Sequence, residues 1–348
     1  MQSNGSSVLF EPAGLSPTGG GPTANGAQTG STETWVLFTI DSQKYGLQIT
    51  EVERILRAVE VKPLPQSPPH VMGIINVTPD SFSGDGLLMA QNAPQAALEQ
   101  ARLFVQAGVD ILDIGGESTR PGAQAVGEAE ELARVLPVVG AVAAELDVLI
   151  SIDTYKASIA EAALQAGAHI VNDVWGLHAD ADLAGVAARH AAPVILMHNR
   201  SSWAHAEIKE KLGGRYVGIP YDDLLPDVRR ELLESVAIAR QAGIPDERII
   251  LDPGIGFGKS VAQNLELVDR LGEIRELGFP VLLGPSRKSF IGYTLDLPPE
   301  QRLEGTAAAV AVGITRGADI VRVHDVPQMV RVARMTDAIV RRGAQGSR

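Results

Sequence analysis

Residues 71–82 read Val71-Met72-Gly73-Ile74-Ile75-Asn76-Val77-Thr78-Pro79-Asp80-Ser81-Phe82, an apolar run that ends abruptly in polar side chains. A buried parallel strand is a nearly continuous apolar run, and binding or catalytic residues concentrate in the loops between such elements. The stretch therefore predicts a buried strand that leads into a functional loop. The same unit of strand, polar loop and Ala-rich amphipathic helix recurs down the chain, and this repetition decides the fold.

The repeated unit is predicted eight times, with strands at 71–77, 109–114, 147–152, 169–173, 193–197, 248–252, 280–284 and 319–323. The helical patterns lie at about 91–107, 128–145, 155–166, 180–190, 223–242, 261–277, 300–316 and 327–342. Several of these helices end in a glycine suited to a left-handed cap, namely Gly108, Gly167, Gly243, Gly278 and Gly317. Eight alternating units over roughly 270 residues predict a (β/α)8 TIM barrel, whose typical size is ~250 residues. A doubly wound open sheet is the alternative.

The composition excludes several classes of protein. The chain of 348 residues has no cysteine, which rules out disulfides, thiolate metal sites and cysteine nucleophiles. A net charge of -12 argues against nonspecific binding of nucleic acid or of an anionic membrane, although a few local cations can still dominate one cleft. No apolar run approaches the ~20 residues that span a bilayer, and no signal or transit peptide is predicted. A cytoplasmic protein without nucleic-acid or membrane partners is expected.

The chain is predicted to fall into four segments. Residues 1–33 are rich in Gly, Ser, Thr, Pro, Asn and Gln without periodicity, which is typical of a disordered tail. Residues 34–70 are predicted to form a short β-rich extension that ends in a stiff Pro-rich connector. Residues 71–342 hold the barrel, and residues 343–348 form a second tail.

Polar side chains stand at the carboxyl end of every predicted strand. In a barrel these ends and the loops after them meet at one rim, where active sites are built. The polar residues at this rim are Asn76, Asp113, Arg120, Asp153, Asn172, Asp173, His198, Asp252, Ser286, Arg287, Lys288, Arg322 and His324. Any one buried Asp is more often a satisfied loop cap than a catalytic group. Polar side chains at all eight strand ends together favour a binding pocket.

The chemistry of these side chains predicts two kinds of ligand group. Carboxylates and an amide suit a flat heterocycle that presents N–H and C=O edges, and they are Asp153, Asn172 and Asp252. Guanidinium, imidazole and amide groups suit an anion such as a phosphate, and they are Arg120, Arg322, His324 and Asn76. Lys288 stands where it could bridge the heterocycle and a second substrate.

Other motifs argue against alternative chemistries. Gly254-Ile255-Gly256-Phe257-Gly258-Lys259-Ser260 resembles a phosphate loop, but Pro253 occupies the position of the leading glycine, so a flexible loop is the preferred interpretation. The histidines form no HExxH pair, which makes a zinc site improbable, and the absence of a GxSxG elbow argues against a serine hydrolase. His198 is as consistent with a structural role at the rim as with a ligand contact.

From Val71 to about Arg342 the chain closely resembles the dihydropteroate synthases, a family of pterin-binding (β/α)8 barrels. The resemblance rests on long motifs in the family's order and spacing, which are Gly73–Phe82, Asp113–Gly122, Ser151–Thr154, Val171–Asp173, Leu251–Gly254, Gly284–Ser289 and Val321–Asp325. It implies a transferase of folate biosynthesis that joins 6-hydroxymethyl-7,8-dihydropterin diphosphate to 4-aminobenzoate, giving 7,8-dihydropteroate and pyrophosphate. It also implies a homodimer and a target of sulfonamides.

The resemblance also implies roles for individual residues. The pterin would be held by Asp153, Asn172, Met197, Asp252 and Lys288. The diphosphate would be held by Asn76, Arg120, Arg322 and His324, with Asn76 also near a Mg2+ ion. The aminobenzoate site, where sulfonamides compete, would be lined by Phe82, Thr119, Pro121 and Ser286. The catalytic residues would be Asp153, Lys288, Arg322 and His324, in an SN1-like departure of pyrophosphate that needs no covalent nucleophile.

A second resemblance covers residues 35–75, which look like the opening of a chemotaxis coupling (CheW-like) domain. That family also runs into a Gly-Ile-Ile-Asn-Val strand and then continues through further strands, whereas this chain continues with Thr78-Pro79-Asp80. We interpret the chain as two sequences joined at a shared strand, which leaves a truncated coupling domain too small to fold alone. A hairpin that caps the bottom of the barrel is the alternative.

Two other functions compete with the synthase. Another pterin-binding barrel, such as a methyltetrahydrofolate methyltransferase, would have no reason for the Thr119-Arg120-Pro121 and Ser286-Arg287-Lys288 segments as diphosphate and aminobenzoate sites. A chemotaxis scaffold that acts by protein contacts alone is disfavoured because the rest of the coupling domain is missing.

Overall fold

The computed structural model describes residues 35–40, 43–48, 70–78, 93–201, 206–216 and 220–340. The predicted tails at 1–33 and 343–348, the Pro-rich connector and Phe82 lie outside the described residues. The chain divides into two units, Met1–Ala58 and Val59–Arg348. In the first unit, β1 (Trp35–Ile40) pairs antiparallel with β2 (Gln43–Gln48), which agrees with the prediction of a β-rich extension.

The second unit is built on eight parallel strands. These strands are β3 (His70–Asn76), β4 (Ile111–Gly115), β5 (Leu149–Asp153), β6 (Ile170–Asp173), β7 (Val194–Met197), β10 (Ile249–Asp252), β11 (Leu282–Leu283) and β12 (Ile320–Val323). Between β7 and β10 the chain forms a separate antiparallel hairpin of β8 (Ala206–Lys209) and β9 (Gly213–Tyr216). The sheet order is β10-β7-β6-β5-β4-β3-β12-β11, and a parallel bridge between Leu251 and Val281 joins its two edges. The predicted TIM barrel is therefore confirmed, and the open sheet is excluded.

Helices surround the barrel. They are α1 (Ala93–Ala107), α2 (Glu128–Glu145), α3 (Ala157–Ala166), α4 (Leu183–Arg189), α5 (Leu224–Gln241), α6 (Val261–Asp269), α7 (Leu271–Arg275), α8 (Ser289–Leu295), α9 (Leu303–Thr315) and α10 (Val326–Val340). The five predicted capping glycines all have left-handed backbone, with φ between +90 and +118°. The helix predicted over 261–277 is divided at Arg270, and the one predicted over 300–316 begins with a short 3-10 turn at Pro299–Gln301.

The barrel is filled rather than hollow. One apolar side chain from each of the eight strands meets its neighbours inside, and these residues are Met72, Ile111, Leu149, Ile170, Ile195, Ile250, Leu282 and Ile320. A larger apolar core lies between the outer face of the strands and the helices. Because the interior is closed by this layer, the carboxyl ends of the strands form the floor of a cavity on one side only. Among the described residues no helix is long and apolar enough to cross a membrane.

Candidate active site

A single cavity lies over the carboxyl ends of the strands and brings the predicted site residues together. Every residue within the described part of the chain to which the family resemblance assigns a role lines it, namely Asn76, Thr119, Arg120, Pro121, Asp153, Asn172, Met197, Asp252, Ser286, Lys288, Arg322 and His324. They come from the ends of all eight parallel strands or the loops after them, as expected of a barrel. The remaining prediction, Phe82, falls outside the described residues. Of the other polar residues predicted at the rim, Arg287 lines the cavity, whereas Asp113, Asp173 and His198 do not.

The floor of the cavity is a charged triad. Arg322, on β12, donates from Nε to Oδ2 of Asp113 and from Nη2 to Oδ2 of Asp153, both at 2.6 Å. Burial raises the pKa of the Asp153 carboxyl to about 7, against the opposing effect of the Arg322 charge. The two carboxylates outweigh the cost of burial for the guanidinium and raise the pKa of Arg322. The floor therefore holds two acidic groups and one permanent cation at fixed distances.

An amide and a carboxylate continue this floor. The Asn172 side chain donates from Nδ2 to the Asp113 carboxylate at 3.2 Å, which leaves its Oδ1 as an acceptor toward the cavity. The carboxylate of Asp252 accepts one bond from the backbone N–H of Gly254 at 2.7 Å, and burial raises its pKa. These groups form an edge of acceptors suited to the N–H groups of a flat heterocycle.

Lys288 enters the cavity from the residue before α8. Its ammonium donates to the carbonyl oxygen of Ile255 at 2.5 Å and lies 4.7 Å from the ring centroid of Phe257. Burial lowers the pKa of Lys288 to about 8, although the nearby Asp252 carboxylate favours the charged form. The lysine is therefore a desolvated donor that an incoming acceptor group can engage.

The opposite side of the cavity suits an anion. The hydroxyl of Ser286 accepts the backbone N–H of His324 at 3.1 Å and lies 3.0 Å from Nδ1 of the same residue. Burial and the neighbouring cations, first Arg120 and then Arg322, lower the pKa of His324 well below its usual value. The imidazole is therefore neutral. When the Ser286 hydroxyl donates to Nδ1, the ring proton is on Nε2, which can then donate a hydrogen bond to an anion.

A metal ion at this site would combine a protein ligand with ligands from water and substrate. Within the described residues no group of three or more His, Cys, Asp or Glu side chains is arranged to bind a metal. Asn76 lines the cavity. An amide oxygen is a ligand that Mg2+ accepts, and Mg2+ commonly takes its other ligands from water and substrate phosphates. The donor set therefore fits a Mg2+ that arrives with a diphosphate.

The Gly115–Gly122 loop is anchored from outside the cavity. Lys156, just before α3, donates to Glu117 at 2.7 Å and to Glu131 at 2.6 Å, and also to the carbonyl oxygen of Val126 at 2.6 Å. Burial works against the charge of Lys156, but these two carboxylates raise its pKa overall. The loop that carries Thr119, Arg120 and Pro121 is thereby tied to α2 and α3.

The segment after β10 is anchored by a lysine that sequence reasoning missed. Lys259 is only 2% exposed, and its ammonium lies 2.9 Å from Nδ1 of His198 and 3.0 Å from the carbonyl oxygens of Gly254 and Phe257. The other ring nitrogen of His198 lies 3.0 Å from Glu231. Lys259 therefore points away from the cavity and holds its own loop, and for His198 the structure supports the structural role.

Part of the cavity wall comes from residues that no motif indicated. These are chiefly Leu212, Gly213, Gly214 and Tyr216 of the hairpin, together with Pro299 and Arg302. Phe257 also lines the cavity, but it lies inside the glycine-rich segment that the sequence singled out, so its position could have been inferred. The hairpin carries only a weak signal, because the alternation of apolar and polar residues is confined to the four residues Ala206–Lys209 and does not continue in Gly213–Tyr216.

Comparison with known proteins finds two families in the chain, whose matches overlap at residues 72–79. The family of pterin-binding enzymes matches residues 72–324, and the family of CheW-like domains matches residues 34–79. A dihydropteroate synthase of Bacillus subtilis is 51% identical over 273 residues, which cover 78% of this chain and 89% of that protein.

Solved structures give the same result. A crystal structure of dihydropteroate synthase from Clostridium difficile in the presence of pteroic acid has a TM-score of 0.71 and 46% identity, covering 79% of this chain and 98% of that one. The Yersinia pestis dihydropteroate synthase in complex with a sulfonamide drug has a TM-score of 0.72 and 41% identity, covering 79% of this chain and 96% of that one.

Proposed function

This chain belongs to the pterin-binding enzyme family and, within it, to the dihydropteroate synthases, and we propose that the cavity at the carboxyl end of its barrel is where that reaction takes place. The reaction joins 6-hydroxymethyl-7,8-dihydropterin diphosphate to 4-aminobenzoate and yields 7,8-dihydropteroate and pyrophosphate. The observation that carries the proposal is that all twelve described residues with predicted roles line this one cavity. Its acidic floor and its cationic side match the two ends of the pterin diphosphate.

The pterin ring occupies the acidic floor in this proposal. Asp252 and the Oδ1 of Asn172 accept from the N–H edge of the ring, and Lys288 donates to its carbonyl edge. Met197 is buried and lines the same part of the cavity, where its thioether supplies an apolar surface for the flat ring. Because Arg322 already satisfies one oxygen of Asp153, the other oxygen of that carboxylate remains for the ring.

The diphosphate occupies the cationic side. Arg120 and the Nη1 of Arg322 supply positive charge, while neutral His324 supplies a hydrogen bond from Nε2. A Mg2+ ion would be held by Asn76 together with the diphosphate oxygens, and when bound it would neutralise part of the negative charge on the leaving group.

The chemistry follows from these positions. The bond between the pterin methylene carbon and the diphosphate oxygen breaks, and its electron pair leaves with pyrophosphate. Arg120, Arg322 and His324 stabilise the charge that develops on that oxygen. The carboxylate of Asp153 stabilises the cation left on the pterin, which the nitrogen of 4-aminobenzoate attacks to form the new carbon–nitrogen bond. The amine then loses one proton, and no residue of the chain becomes covalently attached.

The aminobenzoate lies between the pterin and the mouth of the cavity. Thr119 and Pro121 line the cavity there, on the loop that Lys156 anchors, and Ser286 lines it from the other side. Phe82 is proposed for the same site on sequence grounds alone. Sulfonamides, which share the aniline ring, would compete for this position.

We also propose that the enzyme is a homodimer that associates through α9 and α10. Met335 and Ile339 on α10 are 63% and 50% exposed, and Val312 on α9 is 41% exposed. Exposed apolar side chains on two packed helices are typical of an interface. Light scattering should give twice the chain mass, and Met335→Glu should shift it to one chain mass. The expected cytoplasmic location stays a prediction, which cell fractionation would check.

One assay tests the function and the site together. Pyrophosphate release should require both pterin diphosphate and 4-aminobenzoate, and Asp153→Asn should reduce kcat by roughly 10²- to 10³-fold, the cost of losing one preorganised charge. Lys288→Ala should raise the KM for the pterin substrate. Undiminished kcat in Asp153→Asn together with an unchanged KM in Lys288→Ala would refute the assignment of the site. Titration with Mg2+ and EDTA, repeated with Asn76→Ala, tests the metal in the same assay.

A further inference from the structure

The loop after β11 stays in register with the loop after β12. Within these two strands Leu283 lies opposite Val321. Beyond the strand ends Arg287 lies against Asp325, a pair with the same separation of 38 residues in sequence. The guanidinium donates from Nε to one carboxylate oxygen at 2.9 Å and from Nη2 to the other at 2.5 Å. Two parallel bonds of this kind fix both the distance and the orientation of the two loops.

This ion pair is largely buried, and the backbone beside it is held as well. The side chains of Arg287 and Asp325 are only 19% and 14% exposed, so solvent screens their attraction less than that of a surface pair. The Arg287 N–H donates to the Thr306 hydroxyl at 3.0 Å, and its carbonyl oxygen accepts from Nη1 of Arg302 at 2.9 Å. Arg287 has φ of +54°, a left-handed conformation that a residue other than glycine rarely adopts without support from its surroundings. Several contacts therefore impose one conformation on this residue.

The residues just before this pair on each loop also meet. The Ser286 hydroxyl accepts the backbone N–H of His324 at 3.1 Å and lies 3.0 Å from Nδ1 of the same residue. A hydroxyl that accepts from an N–H still has its one proton to give, so it donates to Nδ1, and the ring proton is on Nε2. This tautomer requires that the two loops stay at hydrogen-bonding distance, which is what the adjacent ion pair maintains.

We propose that Arg287 and Asp325 form a positioning pair for the departure of pyrophosphate. By fixing the two loops in register, the pair holds Ser286 against His324, so that Nε2 faces the oxygen on which negative charge develops. Asp325 does not line the cavity and acts only through its neighbours. The inference rests on the proposed function of the cavity, and it gives a role to the basic residue between Ser286 and Lys288.

Asp325→Asn tests the pair without changing any residue that lines the cavity. His324 stabilises charge that develops only as the bond breaks. A displaced imidazole should therefore lower kcat about tenfold, while the KM values for both substrates change by less than about threefold. Asp319→Asn is the matched control, because Asp319 is 16% exposed, is paired with Arg275 and precedes the same strand that Asp325 follows. It should lose a similar amount of stability in urea but keep its kcat.

Two further measurements show whether the pair acts through His324. In the His324→Ala background, Asp325→Asn should lower kcat by less than about twofold, because the group that the pair positions is already absent. In long-range ¹H–¹⁵N spectra of the enzyme labelled at histidine, the signal that His324→Ala removes should show the Nε2–H tautomer. In Asp325→Asn the same ring should show a mixture of both tautomers. These spectra need no substrate.

Several results would refute the positioning role. They are an unchanged kcat or an unchanged tautomer in Asp325→Asn, a tenfold loss that persists in the His324→Ala background, and an equal loss of kcat in Asp319→Asn. If Asp325→Asn does not fold, as judged by circular dichroism, Arg287→Lys carries the same tests, because lysine keeps the charge but cannot form the two parallel bonds. If the unmodified enzyme releases no pyrophosphate from the two substrates, the proposed function fails, and the spectra still decide whether the pair positions the ring.

Discussion

Arg322 and Asp153 form a hydrogen-bonded ion pair of 2.6 Å across the floor of the barrel. The same guanidinium binds Asp113, so one cation orients two carboxylates that belong to neighbouring strands. A buried guanidinium is a fixed positive charge with a planar set of donors, and it therefore constrains where each carboxylate oxygen points. The ion pair therefore both stabilises the floor of the cavity and fixes the position of the Asp153 carboxylate, which is proposed to face the pterin.

The first prediction concerns the removal of this cation. Arg322→Met should destabilise the fold by about 3–5 kcal/mol, because two buried carboxylates lose their partner. It should also reduce kcat/KM by about 10²-fold or more, because charge on the departing diphosphate is no longer stabilised. Urea denaturation and steady-state kinetics measure the two effects. Arg322→Lys is the control. It should recover part of the stability, but it should not bind Asp113 and Asp153 at the same time as the guanidinium does. Equal stability of Arg322→Met and the unmodified enzyme would contradict the prediction.

The second prediction is a bell-shaped dependence of kcat/KM on pH. Burial raises the pKa of Asp153 to about 7, so the reactive carboxylate is lost as the pH falls through that value. Burial lowers the pKa of Lys288 to about 8, so its ammonium is lost as the pH rises through that value. Activity should therefore be greatest between these two values. Asp153→Asn should remove the acid limb from the residual activity, and an acid limb that persists unchanged would show that another group is responsible.

The sequence predicts the barrel well because the barrel is locally encoded. Strands such as Ile170–Asp173 and Val194–Met197 lie within one residue of their predicted bounds, since a strand buried on both faces is a continuous apolar run. Gly108 and Gly317 end their helices with positive φ as predicted. Polar residues at the strand ends reach one cavity because the topology of a barrel places them there.

The features that sequence reasoning missed depend on contacts between distant segments. Tyr216 bonds to Thr119 across 97 residues, and Arg302 bonds to Leu212 across 90. Nothing in the local pattern of the hairpin encodes these contacts. Lys259 is a comparable case, because a lysine among glycines is expected in solvent or on a phosphate. Its burial depends on three acceptors from two loops that only the folded barrel brings together.

The third prediction concerns Lys259 as a positioning residue. Lys259→Met removes the bonds to the carbonyl oxygens of Gly254 and Phe257, and the loop that carries Ile255 and Phe257 should lose its fixed position. Because Lys288 donates to Ile255, the KM for the pterin substrate should rise about tenfold with a smaller change in kcat. Lys211→Met, at an exposed lysine, is the control and should leave both constants unchanged. A loss of kcat alone would indicate a direct catalytic role instead.

The fourth prediction concerns the CheW-like segment. β3, the strand shared by the two families, pairs with β4 on one side and with β12 on the other. Both of its edges are therefore paired within the barrel. Deletion of residues 1–69 should therefore leave kcat/KM within about twofold of the full chain, because all eight barrel strands and the cavity remain. Loss of soluble expression or of synthase activity in the deleted chain would show that the segment is an integral part of the enzyme.

The fifth prediction concerns the anchor of the Gly115–Gly122 loop. Glu131 is only 1% exposed, so Lys156→Met leaves its carboxylate buried without its cation and should cost about 3–5 kcal/mol of stability. The double variant Lys156→Met/Glu131→Met removes the unpaired charge and should be more stable than the single variant. In both variants Glu117 loses its ammonium partner, so the backbone amides of the Gly115–Gly122 loop should exchange with solvent deuterium faster than in the unmodified enzyme. A double variant no more stable than the single one would mean that Lys156 acts through packing. Unchanged exchange would mean that the loop is held by other contacts.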